Sequence, residues 1–273
     1  MTKLLYELPA ILTSFAFRKE YIEEMEGMIA TIAEHHPGWP AVIGRGPVPG
    51  HDAHTLRVRW PSGEDVWSLP VPFDLDGSET DWHRIVMMKG WWLAKVWHDL
   101  GRFSSGIRRM IWLDADGRLN GPLDMEIDPE AEIVASPWWT DAATPAHQHH
   151  VCSGLVIFQG AANGVVDSIL RQWADDCLRA ISRPPAPSAY LPGPEGDQCL
   201  LTTVLNQRIA TKDKFSLIKL DYDRYCGVPD RKDGKPKAGA LVDQWMMNQK
   251  MRAPENRNAI WPPPEAARRR REQ

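Results

Sequence analysis

Apolar positions along the chain fall into short runs and into helical stripes, and the two alternate. Leu8–Ala16 reads as a first strand ending in small and polar residues. Lys19–His36 has helical spacing: Tyr21, Met25, Met28, Ile29 and Ile32 share one face, and Glu20, Glu23, Glu24 and Glu26 lie mostly off it. Pro37-Gly38 ends that helix, and Trp39–Ile43 reads as a second strand. Strand, helix, strand is the unit of a parallel sheet with a right-handed crossover.

The pattern weakens and then recovers. Thr55–Trp60 alternates, with Leu56, Val58 and Trp60 opposite Arg57 and Arg59. Val66–Val71 is its natural partner across Pro61-Ser62-Gly63, which predicts a small antiparallel insertion. Asp81–Leu100 is a strong helix with Ile85, Met88, Trp92 and Val96 in a buried stripe, Trp91 off its centre, Arg84 and Lys89 flanking it, and Gly101 placed to end it. Met110–Leu113 is too short for a free helix and reads as a buried strand; Ala131–Ser136 and Val151–Gln159 are further strands. Ala162–Ile181 is a third helix built on Val166, Ile169, Leu170, Trp173 and Leu178. The proline-rich stretch from Arg183 to Pro194 must be a loop or lid. Asp197-Gln198 then opens a helix through Leu200, Leu201, Val204 and Leu205, and Phe215–Leu220 is a last strand. From Asp221 the pattern is irregular, and from Pro254 it is a polar, proline-rich tail. These signals predict one α/β domain over 1–225 and an irregular C-terminal extension over 226–273.

Composition narrows the class. The chain has 273 residues, 43% of them hydrophobic and 25% charged, as in an ordinary globular protein. No apolar run reaches the roughly 18 residues of a membrane span, and no signal-peptide pattern stands at the N-terminus. Four cysteines without C-x-x-C spacing argue against a zinc site or disulfide framework and favour a reducing, cytoplasmic setting. A net charge of −4 gives no global attraction to nucleic acid, although Arg268–Arg271 forms a local basic tail. Thirteen tryptophans exceed ordinary usage; most should pack in the core and some stack on ligand rings.

The chemistry centres on Asp114-Ala115-Asp116-Gly117, directly after the Met110–Leu113 run. Two carboxylates at a strand end lie where open α/β sheets bind ligands, and they repel each other unless a cation, a shared proton or a positive substrate intervenes. Three readings fit: a polar turn, an Asp-x-Asp pair holding a divalent metal against a nucleotide-sugar diphosphate, and phosphoryl transfer with Asp114 as nucleophile and Asp116 as acid/base. His147 and His149 would share a strand face, but no ligand partner stands at a recognised spacing, so a loop touching substrate is the preferred reading. Asp197 at a helix start is also a natural cap.

The order of these features resembles the nucleotide-diphospho-sugar transferases, glycosyltransferases of the GT-A fold. Over roughly residues 8–225, a helix carrying Lys89 precedes an apolar strand ending in Asp114-Ala115-Asp116; a later strand begins Ser153-Gly154-Leu155-Val156, and a helix opens Asp197-Gln198 with Leu200-Leu201. The resemblance implies a Rossmann-like sheet, mostly parallel and flanked by helices. It also implies a Mn²⁺ or Mg²⁺ ion with a nucleotide-diphosphate sugar as donor. Asp116 would ligate the metal and Asp114 the ribose or metal; Ser14 and Lys89 would face the nucleotide and diphosphate. Ser153 and Gly154 would line the sugar and acceptor side, and Asp197 and Gln198 would face the transferred sugar. Many such enzymes add a C-terminal histidine to the metal. Here all nine histidines lie at or before His150, and in Val242–Asn248 Gln244, or Asp243, stands in that place. The acceptor stays open between a glycan, a protein, a lipid-linked sugar and a modified DNA base; Arg57, Arg59 and Arg268–Arg271 allow the last, and the net charge of −4 does not encourage it.

Leu113–Leu119 also resembles the Asp-x-Asp-Gly-Thr-Leu signature of haloacid-dehalogenase-like phosphatases. Arg118 replaces the hydroxyl residue, the motif lies far from the start, and no later Gly-Asp-x-x-x-Asp follows. The missing histidine allows a third alternative, a catalytically silent GT-A-like binding protein.

Overall fold

The computed structural model describes residues 3–5, 8–17, 19–46, 55–59, 65–70, 79–103, 108–137, 151–161, 164–183, 196–226 and 238–244. His147, His149, the loop after Arg183 and the Arg268–Arg271 tail lie outside the described residues, as do the side chains of Arg57 and Arg59. In chain order the elements are β1 (Lys3–Leu4), β2 (Ile11–Phe17), α1 (Lys19–His35), β3 (Ala41–Gly46), β4 (Thr55–Arg59), β5 (Asp65–Pro70), α2 (Glu79–Phe103), β6 (Arg108–Leu113), β7 (Gly117–Leu119), β8 (Glu126–Ile127), β9 (Ile133–Pro137), β10 (Val151–Gly160), α3 (Val165–Ile181), α4 (Asp197–Ala210), β11 (Leu217–Lys219), α5 (Tyr222–Tyr225) and β12 (Val242–Gln244).

Eight strands form one mixed sheet in the order β11-β9-β10-β6-β2-β3-β4-β5. β2 lies parallel to both β3 and β6, as the strand–helix–strand opening predicts, and β11 lies parallel to β9. β10 runs antiparallel to β6 and β9. The antiparallel insertion is present as β4 and β5, and it extends the same sheet beyond β3.

Both faces of the sheet are covered, which is why β6 is buried from end to end. Side chains alternate across it. Met110 and Trp112 join one core with α2, α3 and α4; Ile111 and Leu113 join the other with α1, β8 and β12. On the first face α2 buries two adjacent stripes, Met88/Trp92 and Met87/Trp97 among them. Gly90 brings it against α3: a Cβ there would stand 3.2 Å from the Trp173 backbone.

Several boundaries differ from the sequence pattern for local reasons. β2 begins at Ile11 rather than Leu8, because Pro9 has no N–H for the ladder. β3 begins at Ala41: Pro40 gives only its carbonyl, to Leu12 N–H at 2.9 Å, and Trp39 leaves the strand to stack on His36 at 4.0 Å. α2 continues through Gly101 to Phe103. α3 starts after Gly164, and Cys177 rather than Leu178 takes the core position. Within 226–273, β12 pairs antiparallel with β7 and buries Val242 completely. Among the described residues no helix is long and apolar enough to cross a membrane.

Candidate functional site

β6 delivers its last residue, Leu113, to the sheet edge, and the chain turns there. Asp114 N–H donates to the Gly154 carbonyl at 2.9 Å, and Gly117 N–H closes the turn on the Asp114 carbonyl at 2.8 Å. A side chain at Gly117 would meet Leu113 at 2.7 Å, so the turn needs glycine. Beneath it lies Arg118, only 6% exposed. Its guanidinium donates to the carbonyls of Gly117 (2.6 Å) and Ala115 (3.3 Å) and pairs with buried Glu24 of α1. Gly27 makes room for that clamp, since a Cβ there would stand 2.7 Å from Arg118 Nη2. The residue that breaks the phosphatase-like signature is thus a structural tie and not part of the cleft wall.

Facing the turn is Lys89 of α2, 6% exposed. Its ammonium lies 2.8 Å from Asp114 Oδ1 and 3.0 Å from Asp197 Oδ2, and it donates to Ser153 Oγ at 3.0 Å. Trp112 supports it with its ring, centred 5.2 Å from Nζ, and donates Nε1–H to Asp114 Oδ1 at 2.8 Å. Burial works against the Lys89 charge; Asp114 and Asp197 outweigh burial and hold the ammonium above the ordinary lysine range.

β10 supplies the third side. Its pairing with β9 slips between Val151 and Val156, and this bulge turns Cys152, Ser153 and Gly154 to the cleft. Ser153 N–H donates to Gln198 Oε1 at 3.0 Å and Ser153 Oγ to Asp197 Oδ2 at 2.9 Å. Asp197 is the first residue of α4, after the cap Gly196, and its carboxylate belongs to this network. Trp173 Nε1–H holds the Asp197 carbonyl at 2.9 Å, fixing where the helix begins.

Together these groups line a cleft of about 200 Å³ whose remaining walls include Phe15, Phe17, Tyr21, Ile85 and Val86. Lys89, Asp114, Asp116, Ser153, Gly154, Asp197 and Gln198 all meet there. Ser14 does not: it is fully buried, and its hydroxyl donates to the Leu113 carbonyl at 2.7 Å, so it ties β2 to β6 while the next three residues form the wall. Gln244 lies opposite Gly117 in the β12–β7 ladder, and Asp243 opposite Arg118, which brings that backbone alongside the carboxylate turn. Trp112 and the Arg118–Glu24 clamp escaped the sequence reading. Trp112 had a usable signal, being two residues before Asp114 and therefore on the same side of an extended chain.

The cleft carries three carboxylates and one ammonium, an excess of two negative charges. Burial raises the Asp114 carboxyl, Lys89 opposes it, and Asp116 and Asp197 add to it, leaving it at about 6. Glu24 behind the turn is raised to about 7 by burial, against Arg118 and with Asp116. Such an excess suits a hard cation. Among the described residues no three His, Cys, Asp or Glu side chains gather into a metal-holding group. Asp114 and Asp116 could offer one or two oxygen ligands to a cation of the Mg²⁺ or Mn²⁺ kind, which keeps several waters in its shell.

No family model matches this sequence, and no curated protein matches it. Among solved structures the chain is similar to a glycosyltransferase involved in the glycosylation of the major capsid of PBCV-1. The TM-score is 0.49 with 12% identity, over 86% of this chain and 93% of that one.

Proposed function

We propose that this chain is a metal-dependent glycosyltransferase that moves a sugar from a nucleotide-diphosphate donor to an acceptor. The observation that carries the proposal is the pairing of Asp114 and Asp116 at the end of β6 with a buried Lys89 across an aromatic-walled cleft. A diphosphate donor is itself anionic and would be repelled by a cleft with two surplus negative charges unless a cation came with it. Asp116 and Asp114 would hold Mg²⁺ or Mn²⁺ beside the β12 backbone at Gln244, and the ion would supply the positive charge that stabilises a departing diphosphate.

The chain's own residues do the rest. Lys89 keeps Asp114 and Asp197 in place and adds a fixed positive charge at the back of the cleft. Trp112 aims the Asp114 carboxylate. Ser153 orients Asp197, and Gln198 holds the Ser153 backbone, which fixes the Asp197–Gln198 pair on the cleft wall. Phe15, Phe17 and Tyr21 offer flat apolar surface to a base or sugar ring. A glycan, a protein and a modified DNA base are all compatible acceptors.

The test is a thermal-shift panel of nucleotide sugars, each with and without Mn²⁺, since a ligand that binds only the native state raises the melting temperature. A shift with one donor that requires the metal supports the proposal and identifies the donor. Absence of a shift with every donor overturns it.

A further inference from the structure

Two of the four cysteines meet in space although 74 residues separate them. Cys152 Sγ lies 2.7 Å from Cys226 Sγ, and both thiols are free and buried. Cys152 belongs to the cleft wall, and Cys226, 0% exposed, lies behind it at the end of α5. A disulfide needs an S–S separation of about 2.05 Å, so the sulfurs need close by less than about 1 Å. The neighbouring backbone permits that step. Cys152 lies in the β10 bulge, where the ladder to β9 is interrupted, and α5 is a single turn. Cys177 and Cys199 belong to other elements, α3 and α4.

We propose that Cys152 and Cys226 form an oxidisable pair that a peroxide converts into a disulfide across the rear wall of the cleft. Cys152 is the first to react, because a small oxidant reaches it from the cleft. Its sulfur attacks one peroxide oxygen, the O–O bond breaks, and the products are a Cys152 sulfenic acid and water. The Cys226 sulfur then attacks the Cys152 sulfur; the S–S bond forms, the S–O bond breaks, and hydroxide leaves with the Cys226 thiol proton as a second water. Two thiols are oxidised and one peroxide is reduced to two waters. Contact with Cys152, and then burial, hold the Cys226 thiol above its ordinary range, so it stays protonated until the second step uses it. Ser153, next in the chain, is bonded to Gln198, Asp197 and Lys89, so the cross-link is anchored one residue from the cleft's polar network.

The experiment treats the reduced full-length chain with hydrogen peroxide, counts thiols in denaturant and maps peptides without reduction. The expected result is a fall from four thiols to two, recovered by dithiothreitol, and one intramolecular peptide linking Cys152 to Cys226. In Cys226→Ala the Cys152 sulfenic acid has no partner and is trapped by a dimedone-type reagent. Retention of all four thiols while a free control thiol is consumed overturns the proposal, and so does a link between any other pair or between two chains. None of these readouts depends on sugar transfer.

Discussion

Replacing Lys89 with methionine keeps most of the side-chain length and removes the ammonium that, among the described residues, faces Asp114, Asp116 and Asp197 on the cleft wall. Asp114 and Asp197 would lose a cation at 2.8 and 3.0 Å, in positions where Asp197 is 7% and Asp114 30% exposed. Breaking a buried ion pair from one side costs about 3–5 kcal/mol. At roughly 2–4 °C per kcal/mol for a chain of this size, the melting temperature should fall by on the order of 10 °C. The pH dependence has a definite sign. Lys89 lowers the Asp114 carboxyl, which stands at about 6 with the ammonium present, so in Lys89→Met it rises further. The folded variant then holds a proton that the unfolded chain releases near about 3.9. Folded protein binds more protons than unfolded across that window, so its stability falls as pH rises through it. The gap between wild type and variant should therefore be small at about pH 5 and large at about pH 8 in metal-free buffer. Calorimetry at both pH values decides the matter. A variant that melts with wild type at the higher pH, or a gap that does not change with pH, would refute the claim that Lys89 neutralises this cluster.

Asp116→Asn should lower transfer about 10²–10³-fold, as loss of a charge-gathering group does, while the melting temperature holds or rises because Asp114 and Glu24 each lose a repulsive neighbour. Wild-type turnover in the purified variant would remove Asp116 from the reaction. Gly27→Ala places a Cβ 2.7 Å from Arg118 Nη2 and should cost about 1–3 kcal/mol through displacement of the clamp; an unchanged thermal melt would mean the arginine relocates freely. Burial, and then His35, lower the pKa of His36, whose Nε2 accepts the Leu123 N–H at 2.8 Å. The folded chain keeps it neutral while the unfolded chain protonates it below about 6.5, so this residue removes stability as pH falls below that value. Urea midpoints should fall more steeply with acid in wild type than in His36→Gln, and equal slopes would contradict the assignment.

Much of the framework was legible because periodicity reports burial directly. The α1 stripe, the long α2 helix and the apolar run before Asp114 each follow from which faces the sheet covers. Strand ends were harder, since Pro9 and Pro40 act through a single missing N–H. In the cleft, Asp114 and Asp116 stand out by residue type and spacing, whereas Lys89, Ser153 and Asp197 are reached only through the family resemblance. Their wiring could not, because the Lys89–Ser153 bond spans 64 positions and the Arg118–Glu24 bond 94. Ser14 shows the opposite failure: a small polar residue in a strand resembles a ligand contact until the neighbouring Leu113 carbonyl claims its hydroxyl. The Cys152–Cys226 contact has no local signature at all.

The β7–β12 pairing sets an order on assembly during synthesis. Among the described residues, those that line the cleft have all been made once Gln198 is in place, yet β7, immediately after Asp116, has no strand partner there other than β12. Val242 must come back to Leu119 across all the chain from β8 to α5, and long loops close late because their ends meet rarely. A nascent chain stopped short of Val242 would already hold its carboxylates, with the strand next to them still bare on one edge. The finished geometry at Asp116 thus depends on a segment translated long after it, and a shortened chain would show the defect there first.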